Sequence, residues 1–282
     1  MHETQAPSGR QTEYRRFDLP NRLMHGVLMF SFMGLAFTGM PLLFSDAPWA
    51  VHLASLLGGG HSAGIIHRVF ASLMIGCFVL HVWRLMHRLF VKKELDVLWG
   101  PASMTPQPRD VKELIAHMRW FLRLGPEPRF DHFTYWEKFD YWAVFWGMGV
   151  IGGSGLVLWF PEFFSRFLPG SWFTIALLVH GEEGLLAVGF IFTIHFFNSH
   201  LRPDKFPMDP VIFTGHVSHH ELSEERPAEF ERLRAERRLG DLEVPPAPGW
   251  VHRLSKIVAV TAVTLGLAMV GLILYAVLFA RL

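Results

Sequence analysis

Residues 63–86, AGIIHRVFASLMIGCFVLHVWRLM, and 172–199, WFTIALLVHGEEGLLAVGFIFTIHFFNS, decide the fold. Each stretch exceeds the roughly 20 apolar residues that cross a bilayer, and each carries two histidines. His67 and His81 are 14 residues apart and His180 and His195 are 15 apart, or roughly 21 and 22 Å along a helix axis. Both separations fit inside a hydrocarbon core about 30 Å thick. His25, in the apolar stretch 22–44, is a fifth intramembrane histidine. An ionisable side chain in lipid is costly, so five of them require a common reason. Neutral imidazole is the usual protein ligand of haem iron, and two haems stacked in a helical bundle supply that reason.

The chain has 282 residues, 51% hydrophobic and 14% aromatic, with the apolar residues gathered in blocks between charged loops. Five blocks qualify as spanning helices: about 22–44, 63–86, 140–160, 172–199 and 256–279. The expected fold is an all-α membrane protein, with a four-helix bundle holding two b haems and a fifth, C-terminal membrane helix. Its divisions are a polar tail 1–20, the bundle 21–205, a charged segment 206–250 and the last helix region 251–282. No apolar core of a cleavable signal peptide is visible near the N-terminus. The lone Cys77 excludes an internal disulfide, a C-x-x-C-H haem attachment and a cysteine-ligated iron–sulfur cluster. Any haem must therefore be held without covalent attachment, as a b-type haem.

Positive charge sets the expected orientation. The loop 45–62 has no Lys or Arg and the loop 161–171 only Arg166, whereas 87–139 carries Arg88, Lys92, Lys93, Arg109, Lys112, Arg119, Arg123, Arg129 and Lys138. The positive-inside rule then puts the N-terminus in the cytoplasm and the C-terminus outside. Helices two and four both descend, so His67 and His180 share the outer level. His25, His81 and His195 share the inner one. Arg68 and Arg84 suit haem propionates, because guanidinium pairs bidentately with carboxylate. The inner side also gathers Glu137, Lys138, Asp140, His200 and Arg202 near the entrances of helices three and four, groups that suit a quinone needing hydrogen bonds and a proton path. Asp110-x-x-Glu113 reads as a capping box opening an amphipathic helix (DVKELIAHMRWFLRL) along the membrane surface. The alternating charges of 219–243 read as a solvated helix, and VPPAPG at 244–249 as a stiff linker.

These residues resemble the membrane cytochrome b subunits of respiratory formate dehydrogenases and nickel–iron hydrogenases. The motifs concerned are Arg22-x-x-His25 followed by an apolar run to Thr38-Gly39, the aromatic start of helix three with Ser154-Gly155 and Trp159-x-Pro161, and the fourth helix with its two histidines. The resemblance covers about residues 15–205. It implies His67 and His180 as ligands of the outer haem iron, with His25 and His195 as ligands of the inner one. The spacing of 14 and 15 also resembles the cytochrome b of quinol–cytochrome c reductases, where helices two and four supply all four ligands, and in that pattern His81 takes the place of His25. His180 to His195 is one residue longer than the formate dehydrogenase pattern. The resemblance implies electron transfer between quinone (menaquinone or ubiquinone) and a periplasmic redox subunit, either a multihaem c-type cytochrome or an iron–sulfur protein. The stretch 200–209 is similar to subunits that partner multihaem c-type cytochromes. The competing readings are a histidine-lined metal or proton transporter and a haem-free membrane anchor. No P-loop, dinucleotide motif or cysteine cluster points to substrate chemistry or to a nucleic-acid partner.

Overall fold

The computed structural model describes residues 12–203, 205, 206 and 208–280, so most of the N-terminal tail lies outside the described residues. Five helices are long and apolar enough to cross a membrane: Leu19–Leu43, Gly60–Val91, Tyr135–Trp159, Ser171–Leu201 and Gly249–Phe279. The third and fifth begin five and seven residues before their apolar blocks, because backbone hydrogen bonding continues into polar sequence after hydropathy has fallen away. A short helix, Pro48–Leu56, with proline in its first turn, fills part of the loop between the first two long helices.

The chain falls into two compact units. One comprises 1–22, 92–139 and 210–255, and the other 23–91, 140–209 and 256–282.

Among the described residues, the regular structure of the second unit is all helix. Its first and second long helices approach closely, since a Cβ on Gly34 would lie 2.4 Å from the Phe70 ring, the tight contact that small residues permit between membrane helices. The fifth helix packs on the first and fourth around Ala36, Met40, Phe44, Val188, Phe192, Phe196, Met269 and Ile273. Gly266 makes that fit possible, because a Cβ there would sit 2.6 Å from Phe196. In the fourth helix the α-helix of Ser171–Phe190 passes into π-helical turns over Ile191–His195 and Phe197–Leu201. The third contains another at Met148–Gly152.

The first unit adds a minor strand element to a largely helical chain. It carries a three-stranded antiparallel sheet of β1 (Glu13–Arg15), β2 (His216–Ser218) and β3 (Glu243–Val244), in the order β2-β1-β3. Strands this short leave no readable alternation, which is why the sequence did not announce them. Gly215 turns into β2 at φ +80°, and a Cβ there would lie 2.7 Å from the Phe17 carbonyl oxygen. The charged segment is not one solvated helix. Pro227 divides it into His219–Glu225 and Pro227–Ala235, and three of its charges, Arg226, Glu229 and Arg232, turn to partners within the unit. Glu229 is 5% exposed and accepts from Arg16 at 3.1 Å and from His132 Nδ1. Arg226 donates to Glu137 at 2.9 Å, and Arg232 to Asp131 at 2.8 Å. The amphipathic helix runs Pro108–Phe121, and Asp110 is its third residue rather than its cap: the Gln107 amide donates to Asp110 Oδ2 at 2.6 Å.

Candidate histidine centre

Three of the five intramembrane histidines are oriented in the same way. The Thr38 hydroxyl donates to the Gly34 carbonyl at 2.7 Å, so its oxygen accepts from His67 Nδ1 at 2.9 Å. His180 Nδ1 lies 2.9 Å from the Ile151 carbonyl oxygen and 3.4 Å from Ser154 Oγ. A carbonyl can only accept, so Nδ1 carries the proton. His195 Nδ1 donates to Asp140 Oδ2 at 3.0 Å. In each ring the proton on Nδ1 leaves the Nε2 lone pair for a metal, the arrangement by which outer partners fix a ligating histidine.

Local chain geometry prepares these contacts. Ile151 belongs to the π-helical turn of the third helix, where wider spacing redirects carbonyls from the usual ladder. Thr38-Gly39 and Ser154-Gly155 work alike: the hydroxyl residue meets the imidazole and the glycine makes room for it. A Cβ on Gly39 would approach His67 Cε1 to 3.1 Å, and one on Gly155 would approach His180 Cε1 to 2.8 Å. Thr38, Asp140 and the Ile151 carbonyl were not singled out as partners in the sequence. The repeated Ser/Thr-Gly dipeptide was the available signal.

His67 and His180 come together with ring centroids 6.1 Å apart. Two imidazoles bound on opposite sides of one metal at about 2 Å hold their centroids about 6 Å apart, so the pair fits a haem iron. Among the described residues no three His, Cys, Asp or Glu side chains gather as a metal site. A bare ion here would find two protein donors, whereas iron already held by porphyrin needs only two more. Arg68 lies over the Trp159 ring, 5.9 Å from its centroid.

The other level groups differently. His25 interacts electrostatically with both His195 and His200. His81 instead has its Nε2 in a hydrogen bond with the Tyr141 hydroxyl at 2.9 Å, and packs edge-on to Phe145. That contact occupies the atom which the three oriented histidines leave open. His200 is buried, and its Nδ1 has no hydrogen-bond partner among the described residues. Arg84 and Arg202 have polar or ring partners within the protein. Glu137 and Lys138 belong to the first unit and are committed there. Glu137 accepts from Thr134 and Arg226, while Lys138, 2% exposed, donates to both oxygens of Asp110 at 2.7 and 3.0 Å.

The formate dehydrogenase cytochrome b556(fdo) subunits of Escherichia coli strains K12, O6:H1 and O157:H7 are each 22% identical to this chain over 178 residues, covering 61% of it and 74% of the relative. The chain resembles the respiratory cytochrome b subunits. No protein-family model matches it. Its five apolar helices, each long enough to cross a bilayer, make it a multi-pass membrane protein.

Proposed function

We propose that this chain is a b-type dihaem cytochrome subunit moving electrons between the quinone pool and a periplasmic redox partner across the bacterial inner membrane. The observation that carries the reading is the His67 and His180 pair, 6.1 Å apart with Nδ1 of both rings engaged by neighbouring helices. In this reading His67 and His180 hold the outer haem, and His25 and His195 the inner one. The engaged Nε2 of His81 favours His25 over His81. Held by two histidines, a haem would supply one-electron transfer. The protein's part is to fix the imidazoles. Thr38 and the Ile151 carbonyl hold the outer pair in the Nδ1–H tautomer, and the Asp140 carboxylate orients His195 in the same way. Arg68 supplies a cation near the outer pair for a propionate.

Quinone, menaquinone or ubiquinone, is the two-electron partner this reading requires. His200, whose Nδ1 has no hydrogen-bond partner among the described residues, and Arg202 are the residues we assign to it on the inner side. The Lys and Arg excess of 87–139 supports a cytoplasmic N-terminus and a periplasmic C-terminus. The similarity to subunits named for formate dehydrogenase supports membership of a larger oxidoreductase complex, with a multihaem c-type cytochrome or an iron–sulfur protein as electron partner.

A dithionite-reduced minus oxidised spectrum of the purified protein tests the reading. A b-type α band is expected, halved in intensity by His67→Ala or His180→Ala. A colourless protein would leave the transporter or the haem-free anchor in its place.

A further inference from the structure

The helix Pro108–Phe121 has two faces in different circumstances. One is fastened within the first unit, where Asp110 holds Lys138 and His117 Nδ1 lies 3.0 Å from the Tyr135 hydroxyl. His117 also stacks on Phe121, with centroids 4.6 Å apart. The other face carries Val111, Ile115, Met118 and Leu122, spaced i, i+4, i+7, i+11, which are 58%, 55%, 52% and 64% exposed. A continuous apolar stripe left in water costs free energy at every residue, and its presence marks an interaction surface. Lys112, Arg119 and Arg123 are exposed beside it. The Asp110 to Lys138 ion pair ties the start of this helix to the first turn of the helix Tyr135–Trp159, at the end of an apolar span.

We propose that this helix is an interfacial anchor lying in the plane of the membrane, with Val111, Ile115, Met118 and Leu122 sunk among the acyl chains and Lys112, Arg119 and Arg123 on anionic lipid headgroups. The choice of a lipid surface over a protein rests on charge and tether together. The stripe is edged by cations and no exposed acidic residue interrupts it between Val111 and Leu122, which suits a leaflet rich in anionic lipid. The Lys138 tether holds the helix where a spanning segment meets the headgroups. The surface thereby fixes the first unit to the bilayer independently of any cofactor.

The full-length protein tests this in nanodiscs, with a nitroxide at position 115 (Ile115→Cys in a Cys77→Ala background) and at position 116 (Ala116→Cys) as the control. Power saturation is expected to show label 115 colliding more with oxygen than with a water-soluble nickel complex, and label 116 less so. In discs of phosphatidylglycerol and phosphatidylcholine, label 115 should sit deeper than in phosphatidylcholine alone. Lys112→Gln with Arg119→Gln should abolish that difference. Free access of the nickel complex to position 115 would overturn the proposal, as would shielding from both reagents, which would mean that a protein subunit or a second copy covers the stripe. Equal depth in both lipids would overturn the anionic preference.

Discussion

The imidazoles of His67 and His180, from the second and fourth long helices, lie nearly perpendicular with centroids 6.1 Å apart, and each is held by a hydroxyl or carbonyl of a different neighbouring helix. Four helices therefore define one point, and disturbing any of them should be visible there.

Thr38→Val keeps the side-chain volume and removes the acceptor for His67 Nδ1. Loss of such an outer partner typically costs roughly 10–100-fold in metal affinity. The expected result is a lower haem-to-protein ratio and a shifted midpoint potential for one haem only, read by redox titration of the α band. An unchanged titration would mean that Thr38 does not orient the ring.

Gly155→Ala should be worse than Gly39→Ala. Its new Cβ would lie 2.8 Å from His180 Cε1, against 3.1 Å from His67 Cε1 for the latter, and the ring sits on a backbone carbonyl that cannot move aside freely. Gly153→Ala, with nothing within 4 Å of the added carbon, is the control expected to retain full haem content.

The fourth helix offers a deletion experiment. An i→i+5 turn holds one more residue than an α turn, so the π-helical segment Ile191–His195 can give up one residue and still close as an α turn. Deleting exposed Thr193 should let this turn revert to α-helix and retain two haems. Deleting Leu186, in the α-helical part, should turn His195 away by about 100° and cost the inner haem. Loss of that haem in both variants would show that the π turn has another purpose.

In the first unit, Lys138→Met leaves the buried Asp110 without its cation. Breaking a buried pair from one side costs about 3–5 kcal/mol, so limited proteolysis of the purified protein should accelerate in the loop 92–139. Asp110→Leu combined with Lys138→Met should recover most of the protection.

Acid should loosen the same unit. Burial opposes the charge of Glu229, but the hydrogen bond and charge of His132, with Arg16 and Arg226, outweigh it and hold Glu229 down to about 2. Its stabilisation is complete above the ordinary 4.5 and is lost as pH falls toward the folded value; the shift corresponds to about 3 kcal/mol. Burial lowers His132 below its ordinary 6.5, so the unfolded chain takes up that proton first and stability declines from near pH 6.5 downward. Both groups act with the same sign. Glu229→Gln should flatten the lower part of the acid limb in thermal melts followed by circular dichroism, and a limb of unchanged steepness would remove Glu229 from the account.

The histidine spacing made the main elements legible because membrane helices obey a simple rule: an apolar run of sufficient length must close its own backbone hydrogen bonds. That rule located five spans, and helix direction then grouped the ligand candidates by depth. It could not foresee Arg226 and Glu229 meeting Glu137 and Arg16, because those partners lie far apart in the chain and a charged segment has the same composition whether its side chains face water or one another.

The sequence by itself determined the number of long apolar helices, which of them carry imidazoles and the distances along each axis, since all three follow from the rise and periodicity of a single helix. Only the tertiary structure decided that Thr38, Ile151 and Asp140 set the proton on each ring, that His81 turns its Nε2 to Tyr141, and that the helix between His180 and His195 ends in a π-helical turn. Those outcomes depend on the rotation and approach of neighbouring helices, which come from packing between segments remote in sequence and leave no trace in any one of them.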